Sequence, residues 1–504
     1  MRQTINCGIG LKCGIFRAAW SAPVIAAALV ITSQISAQQS VAEKMERLDS
    51  AIQRVQTQVE ESQRELHELQ QQLAALRQQA GLPTSNSPAI SSSSDAAQLT
   101  AAVEEIREKQ DVQDAALAAH EQSKVESASK YPVTLNGMIL INGFVNTDAV
   151  DSASSPTVAL TGPGATGATL RQSIVGIDAR GPHLFGARSH ADLRADFDGA
   201  GANASYANGL GFLRLRTAHA ELDWQHAKAF FSLDKPLINP ETPASLTAVA
   251  EPALAWSGNL WTWNPQAGVS EDLALYHDAV FQMQAALIDV ADPPDAYTSA
   301  SPSLVTPPST SEQSRWPGLQ ARIAILHPEA DNQARFGLGG YFAPHKAAEG
   351  NNFDSWAGTT DFHLPVASHF ELAGSGYRGQ ALGGLGGGAY KDYAYSLYQG
   401  ISYFRVLDDM GGWMQAKENV NERLEFNEAF GIDTVPAHQL LPYATTDPNS
   451  YYNLARNRTF TWNVIYKPSA YLLYSIEYRR IASSPVNWPT QFSDVIGVAA
   501  GYKF

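Results

Sequence analysis

Residues 458–504 read RTFTWNVIYKPSAYLLYSIEYRRIASSPVNWPTQFSDVIGVAAGYKF, and their period of two decides the fold. Phe460, Trp462, Val464 and Tyr466 alternate with Thr461, Asn463, Ile465 and Lys467. After Pro468 and Ser469, Leu472, Tyr474, Ile476 and Tyr478 oppose Ser475, Glu477 and Arg479. Ile496, Val498, Ala500, Tyr502 and Phe504 then oppose Gly497, Ala499, Gly501 and Lys503. Successive strand residues point to opposite faces, so each segment has one apolar face and one polar or small face. Segments of about ten residues with aromatic rings near both ends suit strands tilted across hydrocarbon, the rings lying at the two interfaces. A soluble sheet would turn the same apolar face to a core, so the rest of the chain must choose.

The clearest alternation is at 187–198. Ala187, Ser189, Ala191, Leu193, Ala195 and Phe197 face one way, and Arg188, His190, Asp192, Arg194, Asp196 and Asp198 the other. Such small apolar residues would make a thin soluble core, and a row of ionisable groups would be a costly interior. Hydrocarbon on one side and water on the other satisfies both faces. The same rule predicts strands at 133–147, 171–180, 211–224, 228–235, 269–276, 280–290, 316–327, 334–342, 355–364, 370–378, 393–407 and 412–417. With the last three segments this makes an antiparallel transmembrane barrel of about sixteen strands. A parity change near His219 predicts a bulge. Short connections at 181–186, 225–227, 277–278, 327–333, 365–369, 408–411 and 467–470 alternate with long ones, notably 236–268, 291–315 and 419–457. Short turns at one end and long loops at the other are the membrane-barrel rule, and a soluble sandwich has no reason to produce them.

The chain has 504 residues and a net charge of -15, with no basic stripe, which argues against a nucleic-acid partner. After the amino-terminal region no apolar run reaches the roughly eighteen residues of a membrane-crossing helix. Residues 1–37 read as a signal peptide. Arg2, Lys12 and Arg17 form its positive end, 18–31 its apolar middle, and Ile35-Ser36-Ala37 a cleavage site. Both cysteines, Cys7 and Cys13, lie within it, so the barrel is expected to fold without a disulfide and without a lipidated cysteine.

From residue 38 to 81 the period changes. Val41, Met45, Leu48, Ile52, Val55, Val59, Leu66, Leu69, Leu73, Leu76 and Ala80 follow steps of four and three, with Ser62 the polar lapse. A seam this narrow on a helix of about 60 Å is buried by copies of itself, which predicts a coiled-coil oligomer. Leu and Val share both core positions, leaving dimer and trimer open. Residues 82–130 begin as a Ser/Pro-rich joint and continue as a weaker helical stretch.

The stretch 236–268 is the candidate constriction loop, stiffened by Pro240, Pro252, Trp256, Trp261, Trp263 and Pro265. Arg180, Arg188, Asp192, Arg194, Asp196, Asp198, Arg214, Arg216, Arg322 and Arg335 are its candidate lining partners on the inward strand faces. Asp234, Glu241 and Glu251, with Trp261, Trp263 and Asn264, are the candidates on the loop side. A basic wall facing acidic loop residues would set a transverse field that orients dipolar solutes.

Signal, coiled coil, Ser/Pro joint, strand pattern, inward third loop and aromatic ending together resemble the trimeric outer-membrane porins. The DcaP-like porins, whose barrels carry an amino-terminal periplasmic coiled coil, match this arrangement best. Gly258-Asn259-Leu260-Trp261 and Pro265-Gln266 carry the sharp part of the resemblance. It implies a passive diffusion channel in the bacterial outer membrane, a homotrimer, and small organic anions such as dicarboxylates as solutes. Thr262, Trp263, Asn264 and Gly268 stand where that family usually has basic residues, a departure that bears on anion preference. Gly501-Tyr502-Lys503-Phe504 resembles the terminal signal read by the barrel-assembly machinery. No cofactor is expected, and no nucleophile elbow, HExxH or Cys/His metal spacing points to an enzyme. The other reading is a structural outer-membrane anchor, a closed barrel tethered to peptidoglycan by the coiled coil.

Overall fold

The computed structural model describes residues 132–199, 211–275, 279–293, 308–328, 333–348 and 350–504. The signal peptide, coiled coil and joint read at 1–37, 38–81 and 82–130 lie outside the described residues. Among the described residues nineteen strands follow in chain order. The first nine are β1 (Val133–Val150), β2 (Ala159–Thr169), β3 (Ile174–Leu184), β4 (Ala187–Gly199), β5 (Phe212–Asp223), β6 (Ala227–Asp234), β7 (Asn264–Ala274), β8 (Val280–Ile288) and β9 (Gly318–Pro328). The next five are β10 (Gln333–Lys346), β11 (Asn352–Ala367), β12 (Phe370–Gln380), β13 (Tyr393–Tyr398) and β14 (Ile401–Val406). The last are β15 (Asp408–Asn421), β16 (Leu424–Thr434), β17 (Leu454–Tyr466), β18 (Leu472–Pro485) and β19 (Gln491–Lys503).

Each wall strand pairs antiparallel with its neighbour in sequence, and β1 returns to β19, so the sheet closes. β2 pairs with the later half of β1 and β3 with its earlier half. The two are one wall strand interrupted at 170–173. With β13 and β14 pairing only with each other, the wall is a closed barrel of sixteen strands, as expected.

Two differences from the sequence reading cancel in that count. The predicted strand at 393–407 is the hairpin β13–β14, outside the wall, and 408–411 is not a turn. The segment 424–434, assigned to a long loop, is the wall strand β16. Its inward Glu425, Asn427 and Asp433 alternate with outward Leu424, Phe426, Phe430 and Ile432, but outward Glu428 breaks the apolar face. The stretch 159–169, which lies between the strands predicted at 133–147 and 171–180, is itself strand because its glycines answer crowding rather than a turn. A side chain at Gly167 would lie 2.7 Å from the Phe144 ring. The bulge expected near His219 falls at Arg216, where Arg194 faces Thr217 and Ala195 faces Leu215.

The wall is inverted relative to a soluble protein. Outward Ile476 is 59% exposed while inward Glu477 is 1% exposed. Outward Trp462, Tyr466, Tyr474, Tyr502 and Phe504 are exposed as well. Large apolar groups in this position are stable only against an apolar medium. Among the described residues no helix is long and apolar enough to cross a membrane.

The closing seam carries a testable contact. Gly137 exchanges backbone hydrogen bonds with Phe504 at 3.0 and 3.1 Å, and the Phe504 ring occupies the space a side chain at Gly137 would take. Removing Phe504, or Gly137→Val, is expected to lower the yield of folded barrel in membranes, read as loss of the heat-modifiable band on gels. Normal assembly of both variants would show that the ring does not fasten the seam.

Candidate constriction site

The connection between β6 and β7, residues 235–263, lies inside the barrel and follows the wall almost all the way round. An irregular segment has no ladder, so its backbone groups need partners from the inward side chains around it. Gln320 on β9 accepts from Leu237 N–H at 2.8 Å, and Thr359 on β11 donates to the Ile238 carbonyl at 2.9 Å. Arg335 on β10 pairs with Glu241 through both guanidinium arms. Ala244 meets Gln415 on β15 and Asn463 on β17 at 3.1 and 2.9 Å. Ser245 and Thr247 both donate to Glu477 on β18, at 2.5 and 2.7 Å. Asn142 on β1 donates to the Leu246 carbonyl at 2.8 Å. Gln172, in the break between β2 and β3, accepts from Val249 and Ala250 and donates to Thr247. Arg214 on β5 closes the circuit on the Ala250 carbonyl at 2.8 Å. The break at 170–173 thus has a use: it turns a glutamine into the lumen that holds three backbone groups.

Residues 251–263 then fold back through the middle. Trp256 stacks on Tyr390 at 4.0 Å, and Trp261 meets Trp256 and Trp263 edge-on at 5.8 and 5.4 Å. Gly258 (φ 99°) passes so close to the Gly412 and Ile432 carbonyls that no side chain fits. Leu260 joins Ile238, Ile288, Tyr341, Leu382 and Leu385 in a core inside the barrel. This fills one side of the lumen. Inward Asp361, Asn463 and Glu477 on β11, β17 and β18 are 0–1% exposed, whereas inward Asp178, His190, Asp192, His219 and Asp234 on β3–β6 keep part of their surface free. A polar cavity of about 350 Å³ opens on that side, lined among others by His219, Glu221, Lys228, Asp234, Gln282 and Gln284.

The candidate charges are interleaved rather than opposed across the lumen. Arg194 pairs with Asp178 at 2.7 Å and lies 3.9 Å from Asp192. His219 bridges Asp192 and Asp234 at 3.0 and 3.1 Å. Asp196, fully buried, holds Arg214 through two bonds at 3.0 and 2.7 Å, with Arg216 at 3.7 Å. Asp198 lies 3.5 Å from Arg171. Both Arg214 and Arg216 lie against the Trp263 ring, at 5.2 and 4.9 Å from its centroid. Arg180 and Arg188 are exposed at the short-turn end. Arg322 is 3% exposed, held by Asp361 at 2.6 Å, and its other arm donates to Gln284 at 3.1 Å behind the lining of the polar cavity. Trp261 and Asn264 are also buried, Asn264 accepting from Ala291 N–H at 2.9 Å. Glu241 is buried against Arg335. The structure therefore gathers Asp196, Asp198, Arg214, Arg216, Glu251 and Trp263 at one place and leaves Arg322 apart. Glu477, Gln172, Gln415 and Asn463, which hold the loop, were not singled out in sequence. Their inward parity was legible, their partners, 75 to 232 residues away along the chain, were not.

Asp178, His190 and Asp192 each place a ligand atom within 4.8 Å of the others and could approach a metal. Arg194 and His219 already match the charge of the two aspartates.

Glu251 is enclosed by protein, and this burial pushes its carboxyl up to about 8, with the Asp151 carboxylate adding to the effect and Arg214 opposing it. Below that pH the group is neutral, and above it the constriction gains one negative charge. Cation preference is therefore expected to rise between pH 7 and pH 9, measured by reversal potential in a salt gradient. Glu251→Gln should remove the change, and a pH shift of equal size in that variant would assign it to another group.

No protein-family model matches the chain, and no curated protein matches it in sequence. The solved structure of the outer membrane channel DcaP of Acinetobacter baumannii superposes on 75% of this chain and 99% of its own, with a TM-score of 0.55 at 14% identity. The barrel fold is shared with DcaP. An anion-selective porin from Comamonas acidovorans aligns with a TM-score of 0.45 at 10% identity, over 74% of this chain and 100% of its own. OprB of Pseudomonas putida aligns at 0.41 and 10% identity, over 74% and 94%. The fold that the DcaP-like resemblance implied is the fold observed.

Proposed function

We propose that this chain is an outer-membrane porin, a passive channel through which small hydrophilic solutes diffuse without a cofactor or a covalent step. The observation that supports this reading best is the polar cavity bounded by β5–β8, with the part-exposed acids and bases of β3–β6 beside it. The long connections face outward and the short turns the periplasm, where residues 38–81 join copies of the chain, as a trimer, through their heptads. Phe504 is the handle for the barrel-assembly machinery. Arg214 and Arg216, flanking Trp263, are the groups that small organic acids would meet in the lumen. Planar-bilayer recording of the purified full chain tests the proposal: steady, ohmic single-channel steps are expected.

A second reading draws on the apolar core inside the barrel. If that core seals the lumen, the chain is an outer-membrane anchor that tethers peptidoglycan through its coiled coil. It predicts intact, folded barrels with no current, together with retention on peptidoglycan that is lost on removing residues 38–130.

A further inference from the structure

Charge is spread unequally along the outward face of the wall. On β16–β19 the outward residues toward the short turns include Leu424, Tyr466, Tyr474 and Tyr502, and every outward arginine or lysine lies toward the long connections: Arg456, Arg458 and Arg480. Arg456 faces Ser484 and Arg458 faces Ala482 across β17 and β18, while Arg480 stands opposite Phe460. Diagonal neighbours in such a ladder are about 7–8 Å apart, within reach of long side chains. Arg378 on β12 shares the row of Arg456, through Met410 on β15 and Thr434 on β16. Its guanidinium leans over the Met410 sulfur at 3.7 Å, in the direction of β17. Three strand spacings, about 14 Å, separate the backbones of Arg378 and Arg456.

The acids on this part of the rim are otherwise engaged. Asp494 lies 3.7 Å from Arg480 and accepts from the Tyr478 hydroxyl at 2.7 Å. Asp408, two residues before Met410 on the same face, accepts from Gln439 at 2.7 Å. Among the described residues Arg456 and Arg458 have no hydrogen-bond or ion-pair partner, and Arg458 Nε is buried with its N–H unanswered. The face around and below them is apolar, with Phe430, Trp462, Phe492 and Ile496 40–51% exposed. A guanidinium beside hydrocarbon needs water or an anion to answer its charge. Arginines that merely reach for water would serve equally at both interfaces. On these strands they stand at one.

We propose that Arg456 and Arg458, with Arg378 across the row, bind the phosphate groups of lipid A, the glycolipid of the outer leaflet, whose acyl chains lie on the apolar face beneath. The inference rests on the outer-membrane reading, which puts the long connections outside. Paired guanidinium N–H donors match phosphate oxygens. A phosphorylated lipid also supplies anion and hydrocarbon in the order in which this face presents guanidinium and aromatic ring. The spacing between Arg378 and the pair on β17 suits a headgroup that carries a phosphate at each end.

The test incubates the purified full chain in detergent with diphosphoryl lipid A and counts the lipid retained by mass spectrometry of the intact, folded protein. One lipid A per protomer is expected, with dephosphorylated lipid A held at least tenfold more weakly. The double variant Arg456→Gln, Arg458→Gln should weaken retention roughly thirtyfold, about fivefold for each charge removed. The heat-modifiable band checks that the variant is folded, and its conductance should equal that of the wild type, since neither residue faces the lumen. Equal retention of the two lipids, or retention unaltered in the double variant, would mean that the arginines only reach for water. No retention by the wild type, with loss of the oligomer in the double variant, would give this face to a second copy of the chain. Each of these results overturns the proposal. A folded wild type that holds lipid A and passes no current would instead remove the porin reading and leave this one standing.

Discussion

Replacing residues 236–262 by a short turn is expected to raise single-channel conductance severalfold, roughly threefold or more if the segment fills half the cross-section. The wall can survive the operation because Asp234 and Asn264 are directly paired neighbours on β6 and β7, so a tight hairpin turn can join them. What disappears is the strap that circles the lumen and the layer of Trp256, Leu260 and Trp261 above it. The size limit for solutes should relax with the current, measured by partial block with sugars or polyethylene glycols of increasing mass. An unchanged conductance in a folded variant would place the narrowest point outside this segment.

The second large effect is expected at Glu477. Its carboxylate takes bonds from Ser245, Thr247, Asn463 and Arg479 at 2.5, 2.7, 3.2 and 2.6 Å, with 1% of its surface exposed. Glu477→Ala leaves the Arg479 side chain, 7% exposed, without its counter-charge. Breaking a buried pair from one side costs about 3–5 kcal/mol. The unfolding temperature in detergent should fall, and the released strap should add open-channel noise to bilayer recordings. Thr247→Val removes one charge-assisted bond to the same carboxylate and should cost about 1.5–3 kcal/mol. Equal losses in the two variants would mean that Glu477 acts through packing and not as the hub of the strap.

The contrast between these residues and the strands around them shows what the sequence made legible. Alternation such as that of Leu193 and Arg194, or Ile476 and Glu477, states which side of the wall a residue takes, because burial in two media enforces a strict period of two. The strap's route is not legible: Gln172 and Glu477 look like any inward polar residue until residues 245–250 arrive beside them. Segment 424–434 escapes the reading because outward Glu428 interrupts its apolar side, and 393–407 reads as wall because an aromatic hairpin packed beside Phe353 alternates as a wall strand does. Arg322 looks in sequence like the other inward arginines, and its burial comes from Asp361 on β11, opposite a glycine on β10, and Gln284 on β8. Parity reports direction, and depth within a filled lumen depends on what the loops bring.

The join between β1 and β19 spans nine residue pairs whose partners stand some 350 positions apart along the chain. Until those two ribbons meet, each offers a bare row of amides and carbonyls, and any second copy nearby is as good a zipper partner as the proper one. Insertion therefore has to be a race between ring closure and chain-to-chain entanglement. Shielding one border of the nascent sheet would be the most effective help a cell could give it.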